Sequence, residues 1–218
     1  MSTALPSANA KTPSRNSGVS AAKRKRTAGL KNSSGKRRRS ISRPGAQALV
    51  TLSDLIRFLE GVAIEGLAEE SRVTPQQFVA TLPAQTHCFA PASKFMEVMD
   101  DIASWGEVSV LLCGTDGVVE LTGCLPKGEL THGYFHWIAD GKISGHLRND
   151  RCGSIAFVER AFMGRPSAFV LFFNRDGGIM FKIFVARDER NVPREDQLKA
   201  FRALARRVGD PCDDKFGS

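Results

Sequence analysis

The residues with the richest chemistry are concentrated in one stretch of the chain, residues 125–151. This stretch holds the only tyrosine and three of the four histidines. A phenolate is a hard anionic ligand for ferric iron, imidazole is the commonest haem ligand, and Arg or Lys can pair with propionates. The segment therefore has the residue types that an iron(III) porphyrin site requires. Its possible ligands and cations are Lys127, His132, Tyr134, His136, His146, Arg148 and Arg151.

A structural interpretation stands beside this one, since tyrosine, tryptophan and histidine are also common on half-buried strands. Alternation along a strand predicts that Tyr134 and His136 point to one face of a sheet. Phe135 and Trp137 then point to the other face. Under the structural interpretation all four side chains pack a sheet and bind no ligand.

The hairpin that follows decides whether His146 can join Tyr134. A two-residue turn at Asp140-Gly141 places Tyr134 opposite Leu147 and leaves His146 on the other face. A three-residue loop at 139–141 pairs Tyr134 directly with His146 instead. The residue types at the turn do not choose between these two registers.

Motifs of the common catalytic mechanisms are absent from the sequence. We find no HExxH, no GxSxG, no phosphate-binding P-loop and no GxGxxG that opens a helix. Hydrolases, zinc peptidases and nucleotide-dependent enzymes usually carry one of these motifs. The sequence therefore favours a binding protein over an enzyme.

Apolar residues recur at helical spacing in three segments outside this stretch, and a capping pattern marks a fourth. Thr74-Pro75-Gln76-Gln77 combines an N-cap threonine, a proline at the first helical position and a glutamine at the third. We therefore predict helices over 52–59, from residue 75, over 95–102 and over 195–208. The stripes are Leu52, Leu55, Ile56 and Leu59; Phe95, Val98, Met99 and Ile102; and Leu198, Phe201, Leu204 and Ala205.

After Trp105-Gly106 the apolar period changes to two, which is typical of strands. Residues 108–112 and 118–122 flank Gly114-Thr115-Asp116-Gly117, a β-hairpin pattern. Short strands joined by tight turns favour an antiparallel meander over βαβ units. The predicted class is α+β, an antiparallel meander sheet with flanking helices and a short N-terminal helical segment. Further strands are predicted over 134–138, 143–147, 154–159, 168–173 and 179–185.

Charge divides the chain into a basic tail and a mildly acidic remainder. Residues 1–45 hold 12 of the 31 Lys and Arg residues and none of the 23 Asp and Glu residues. We predict a disordered tail over 1–46, because it cannot bury enough apolar surface to offset its ordering entropy. Three interpretations of the tail are open. It is a solvated arm without a dedicated role, it binds nucleic acid or anionic surfaces weakly through residues 23–39, or it is a targeting sequence. Residues 47–88 are the predicted helical segment, and residues 89–212 are the sheet domain that carries the haem-binding site.

The helical segment beside a basic tail allows a second hypothesis, a nucleic-acid-binding regulator with a helix-turn-helix. The second helix would be poor in Arg and Lys, which weakens that hypothesis.

No stretch reaches the roughly 18 apolar residues that a membrane helix needs. Five cysteines without a CxxC pair favour reduced thiols over a disulfide framework, and they predict no zinc site.

Eight short motifs occur in order between residues 105 and 189. They are Trp105-Gly106-Glu107-Val108, Leu125-Pro126-Lys127-Gly128, His132-Gly133-Tyr134-Phe135, Gly145-His146-Leu147-Arg148, Ile155-Ala156-Phe157-Val158, Phe162-Met163-Gly164, Phe172-Phe173-Asn174 and Phe181-Lys182-Ile183-Phe184-Val185-Ala186-Arg187-Asp188-Glu189. This pattern resembles the HutX/ChuX-like intracellular haem-utilisation carriers. The likeness covers roughly residues 48–205 and leaves out the basic tail.

The resemblance implies a cytoplasmic homodimer of α+β protomers that binds haem without being an enzyme. Such a carrier takes up imported haem and passes it to a haem-degrading or storage partner. The implied cofactor is ferric haem b, and the implied iron ligands are Tyr134 and His146. A haem-degrading enzyme is the alternative, because larger haem-degrading proteins share the fold.

Three lysine and arginine side chains become possible partners for the haem propionates under this resemblance, namely Lys127, Arg148 and Lys182. One departure is visible at Cys113, where some relatives have histidine. A thiolate can ligate haem iron, so Cys113 belongs to the possible haem-binding residues. The alternative interpretation is that Cys113 packs as a small buried apolar residue, which is the commoner state of an unpaired cysteine.

Overall fold

The computed structural model describes residues 50–114, 116–137, 143–162, 164–210 and 216. The predictions for the basic tail, residues 1–46, lie outside these residues. The helices are α1 (Leu52–Leu59), α2 (Ile64–Glu70), α3 (Pro75–Ala80), α4 (Phe95–Ile102) and α5 (Glu195–Val208). The strands are β1 (His87–Pro91), β2 (Glu107–Gly114), β3 (Gly117–Cys124), β4 (Gly128–Thr131), β5 (Tyr134–Trp137), β6 (Gly145–Arg148), β7 (Cys152–Phe162), β8 (Arg165–Asn174) and β9 (Ile179–Phe184).

The predicted class of helices with antiparallel sheet is confirmed, but the strands form two sheets rather than one meander. A six-stranded sheet has the order β1-β7-β8-β9-β2-β3. A separate three-stranded sheet has the order β4-β5-β6. The sequence does not predict β1 or β4. Both segments, HCFAP in β1 and GELT in β4, are short and lack a clear apolar alternation. The smaller sheet holds the segment with the richest chemistry.

Local sequence determines where two of the helices begin. The Thr51 side chain accepts the backbone N–H of Asp54 at 3.2 Å, and the Asp54 carboxylate accepts that of Thr51 at 2.9 Å. Thr74 and Gln77 make the same reciprocal pair at 3.1 and 2.9 Å, which confirms the predicted capping pattern of α3. These bonds satisfy N–H groups that have no partner inside a helix.

Helices α1, α2 and α3 cover one face of the six-stranded sheet. Phe58, Leu67 and Phe78 are fully buried against Phe169 and Phe173 of β8. Burial of each large apolar side chain contributes about 2–3 kcal/mol. The three helices therefore pack on the sheet and share its core, although Leu52 and Ile56 of the predicted α1 stripe are 74% and 47% exposed.

The opposite face of the six-stranded sheet packs against α4, α5 and the three-stranded sheet. The Phe95 ring of α4 lies between the two sheets, with centroids 5.5 Å from Phe135 and 5.4 Å from Phe172. Phe201 of α5 packs 5.4 Å from Phe157 of β7. This core fixes the three-stranded sheet in place and determines which of its side chains point away from the core.

Two composition-based expectations concern membranes and thiols. None of the helices in the described part of the chain is long and apolar enough to cross a bilayer. Cys113, Cys124 and Cys152 are free, as expected. Cys88 is disulfide-bonded, so the expectation of reduced thiols throughout is wrong at this residue. Cysteine spacing does not reveal a pairing that depends on distance in the fold.

Candidate functional site

A two-residue turn places Tyr134 at the start of β5. His132 and Gly133 have φ of 52° and 79°, which are left-handed conformations typical of a type I′ turn between paired Thr131 and Tyr134. The backbone N–H of Asp150 donates to the Gly133 carbonyl at 3.2 Å. This bond ties the turn to the segment after β6. The backbone at Tyr134 is therefore held by its pairing with Thr131 of β4 and by the Asp150 bond to the preceding residue.

The side chains of β5 alternate as the sequence predicts. Phe135 is 1% exposed in the core, whereas Tyr134 is 37% exposed on the opposite side. Trp137 is buried and His136 is half-buried. A Cβ atom at Gly128 would lie 2.1 Å from Cζ of Phe135, so only glycine leaves room for that ring. The buried rings thus hold β5 with Tyr134 and His136 facing outward.

The strand register brings His146 to the same face as Tyr134. β5 and β6 pair Tyr134 with Arg148 and His136 with His146. Both registers considered from the sequence are wrong, because β5 ends at Trp137 and β6 begins only at Gly145. The connection is therefore longer than a two- or three-residue turn. We call the shared surface of Tyr134, His136, His146 and Arg148 the outer face.

Three rings and one guanidinium cover the outer face. Nδ1 of His136 lies 2.6 Å from Nδ1 of His146, and the two ring centroids are 4.5 Å apart. The Tyr134 ring lies 6.1 Å from that of His136. The guanidinium carbon of Arg148 is 5.1 Å from the Tyr134 centroid, within cation–π range. A phenol and an imidazole that can ligate iron therefore lie within one contiguous exposed patch.

Asp150 binds Arg148, which the sequence proposes as a propionate partner. Nε and Nη2 of Arg148 each donate to the Asp150 carboxylate at 2.6 Å. The hydrogen bond from Arg148 lowers the pKa of Asp150, and the same bond raises the pKa of Arg148. Both side chains are exposed, and water weakens an exposed ion pair. A propionate would have to compete with Asp150 for this guanidinium.

Cys113 and Lys182 lie on the other side of the six-stranded sheet, in a cavity of 790 Å³ beside α2. Nζ of Lys182 donates to the Glu65 carboxylate at 2.7 Å. Burial alone would raise the pKa of Glu65, but the charge and hydrogen bond of Lys182 outweigh it and lower that pKa. Burial raises the pKa of the Cys113 thiol, against the attraction of Lys182. Cys113 is therefore separated from the outer face, and its thiol form is a poor iron ligand.

The remaining candidates are not among the side chains of the outer face. Lys127 is exposed immediately before β4, and His132 is exposed in the turn. Arg151 pairs with Asp176 at 3.1 Å. The structure thus brings together Tyr134, His146 and Arg148, and it leaves Lys127 outside this group.

Two residues of this region gain a role from the structure that the sequence does not assign. Strand alternation places His136 beside Tyr134, yet only the register reveals that it contacts His146. Asp150 follows Arg148 by two positions, a spacing that does not by itself predict a bidentate pair. Both residues act on the predicted site residues through hydrogen bonds.

The donor set fits an iron porphyrin better than a bare metal ion. Among the described residues, no group of three His, Cys, Asp or Glu side chains is placed to hold a metal ion. A porphyrin supplies four nitrogen ligands itself, so the protein needs only one or two axial ligands. Tyr134 would offer an oxygen ligand and His146 a nitrogen ligand, which are donor types that haem iron accepts.

Comparison with known protein families shows the family of this chain. A family model described as haem utilisation ChuX/HutX matches residues 88–204. The chain belongs to this family. The match includes the whole of β2–β9 and most of α5, and it therefore contains every residue of the outer face.

Two individual relatives match this ChuX/HutX chain over most of their length, and a third matches it over half of its length. The intracellular haem transport protein HutX of Vibrio cholerae is 30% identical over 139 residues, which cover 63% of this chain and 72% of HutX. The crystal structure of ChuX is 37% identical with a TM-score of 0.64, covering 69% of this chain and 95% of ChuX. The E. coli haem oxygenase ChuS is 15% identical with a TM-score of 0.60, covering 73% of this chain and 50% of ChuS, a likeness of fold alone.

Proposed function

We propose that this ChuX/HutX chain is a cytoplasmic carrier that binds ferric haem b and hands it to a haem-degrading or storage partner. The observation that carries the proposal is the outer face. In a member of a haem-utilisation family, it presents the only phenol of the chain together with an imidazole on one exposed sheet surface. Tyr134 and His146 are the proposed iron ligands.

Each residue of the proposed site has a distinct task. Bound haem would supply the porphyrin nitrogens and the ferric iron. Tyr134 provides an anionic oxygen, and Arg148 lies beside its ring as a positive charge. His146 provides a neutral nitrogen. Because both ligand side chains are exposed, an acceptor protein can approach the haem without opening the fold.

A haem titration followed by a reduction assay tests the proposal. We expect the protein to bind ferric haem with a stable, shifted Soret band. Addition of ascorbate should leave that absorbance unchanged over hours, with free haem under the same conditions as the control. Progressive loss of the Soret band with release of iron would instead support the haem-degrading alternative. Absence of any spectral shift would contradict haem binding altogether.

We further propose that the carrier is a homodimer formed through the edge of the six-stranded sheet. β3 is an edge strand, and Val118, Val119 and Leu121 on it are 63%, 54% and 37% exposed. An exposed apolar edge strand with unpaired backbone groups is a template for a second chain. A second copy of this chain is the proposed occupant.

Sedimentation analysis tests the dimer. We expect the wild-type protein to have twice the mass of one chain and V119K to have the mass of one. L52K is a matched control, because Leu52 is 74% exposed on α1, away from β3. A monomeric wild type, or a V119K variant that stays dimeric, would contradict the edge-strand interface.

The basic tail has at most an accessory role in this proposal. We propose that residues 23–39 make weak electrostatic contacts with nucleic acid or anionic surfaces, a salt-dependent and sequence-independent interaction. The regulator hypothesis loses support, because Phe58, Leu67 and Phe78 of α1–α3 are buried against the sheet.

A further inference from the structure

The two imidazoles of the outer face form a short hydrogen-bonded pair with a defined direction. Nδ1 of His136 and Nδ1 of His146 are 2.6 Å apart, so one nitrogen must carry the shared hydrogen and the other must accept it. Nε2 of His136 lies 3.3 Å from the backbone carbonyl oxygen of Thr131. A carbonyl only accepts hydrogen bonds, so Nε2 of His136 carries a hydrogen.

These contacts determine the tautomer of both rings when both are neutral. A neutral imidazole carries one N–H, and His136 already has its hydrogen on Nε2. Its Nδ1 is therefore an acceptor, and Nδ1 of His146 must be the donor. The Nε2 atom of His146 is then left with a free lone pair. No hydrogen bond to this atom occurs among the described residues, and the side chain is exposed.

We propose that His136 is a positioning residue, which fixes His146 in the Nδ1–H tautomer and so presents its Nε2 atom as the ligating nitrogen. This inference rests on the proposed function as far as haem is concerned. A histidine that binds a metal commonly donates its other N–H to a protein acceptor, which sets the ring orientation and increases the basicity of the ligating nitrogen. Here a second histidine is that acceptor, and the Thr131 carbonyl orients it in turn.

The surroundings of the pair hold its geometry. His136 is paired with Glu129 across β4 and with His146 across β6. Its strand neighbours Phe135 and Trp137 are buried, so the backbone below the pair cannot move freely. The charged and titratable groups around the pair are Glu129, Tyr134 and Arg148, together with Asp150, which is bound to Arg148. His136 therefore lies on the outer face next to His146 and is placed to act on it through the contact between the two Nδ1 atoms.

The first experiment measures the tautomers in the absence of haem. Long-range ¹H–¹⁵N correlation spectra distinguish N–H from lone-pair nitrogens, and the chain has only four histidines, so H136F and H146A assign both rings. At a pH where both rings are neutral, we expect the N–H of His146 on Nδ1 and that of His136 on Nε2. In H136F, His146 should return to a mixture of tautomers. An Nε2–H tautomer of His146 in the wild type would overturn the proposal.

The second experiment measures ferric haem binding by wild type, H136F, H136N and H146A. Asparagine keeps an acceptor oxygen near the position of Nδ1. We expect H136F to lose about tenfold in affinity and to give the spectrum of H146A, whereas H136N stays within about threefold of wild type. The positioning role would be overturned if H136F had the same spectrum and haem affinity as wild type while H146A differed from wild type in both. If wild type binds no haem, the proposed function fails while the tautomer assignment still stands on the first experiment.

Discussion

Replacement of Tyr134 by phenylalanine is expected to abolish the phenolate-to-iron charge-transfer band of the ferric complex and to lower ferric haem affinity at least about tenfold. Tyr134 carries the only oxygen donor among the four side chains of the outer face, and a phenolate is a hard ligand for ferric iron. Without it, binding depends on His146 and on contacts with the macrocycle. Absorption spectra and a haem titration of Y134F against wild type measure both effects.

The sequence provides an unusually clean control for this variant. Tyr134 is the only tyrosine, so a phenolate signal of the wild type can arise from no other residue. Its side chain is 37% exposed, so Y134F should change the free energy of unfolding by less than about 0.5 kcal/mol. Reduction to ferrous haem should shrink the difference between the two proteins, because lower iron charge favours the phenolate less. Identical ferric spectra of the two proteins would rule out Tyr134 as a ligand.

Replacement of Gly128 by alanine is expected to destabilise the protein by about 3 kcal/mol, the upper part of the range for overpacked cores. The added Cβ would lie 2.1 Å from Cζ and 2.5 Å from Cε2 of Phe135. Phe135 cannot simply rotate away, because Phe95 packs on it with centroids 5.5 Å apart. β4 must therefore move away from β5, and the strand that carries Tyr134 moves as well.

Urea denaturation of G128A measures this loss, and G66A is the matched control. A Cβ at Gly66 would meet no atom within 4 Å, and Gly66 lies inside α2. Alanine is favoured over glycine in a helix by about 1 kcal/mol, so G66A should be neutral or stabilising. We also expect weaker haem binding by G128A than by G66A. A G128A protein as stable as wild type would show that Phe135 does not depend on the glycine beneath it.

Several features of this protein follow from local sequence alone. The capping pair of Thr74 and Gln77 lies within four residues and needs no distant partner, so the start of α3 is predictable. The same holds for the apolar stripes of α1, α4 and α5. Strand alternation likewise predicts that Tyr134 faces away from Phe135, because successive side chains point to opposite sides of a sheet.

Other features depend on packing between distant segments, and only the tertiary structure decides them. The register of β5 and β6, which pairs His136 with His146, depends on a connection longer than any tight turn and on the burial of Phe135 against α4. The division into two sheets separates Cys113 from the outer face. Periodicity gives the face on which a side chain lies, but not the residue opposite it. The sequence by itself therefore determined the class of fold and the placement of Tyr134 on the face opposite Phe135. The tertiary structure decided which side chains share its surface, because those contacts join residues that are far apart or lie on separate strands.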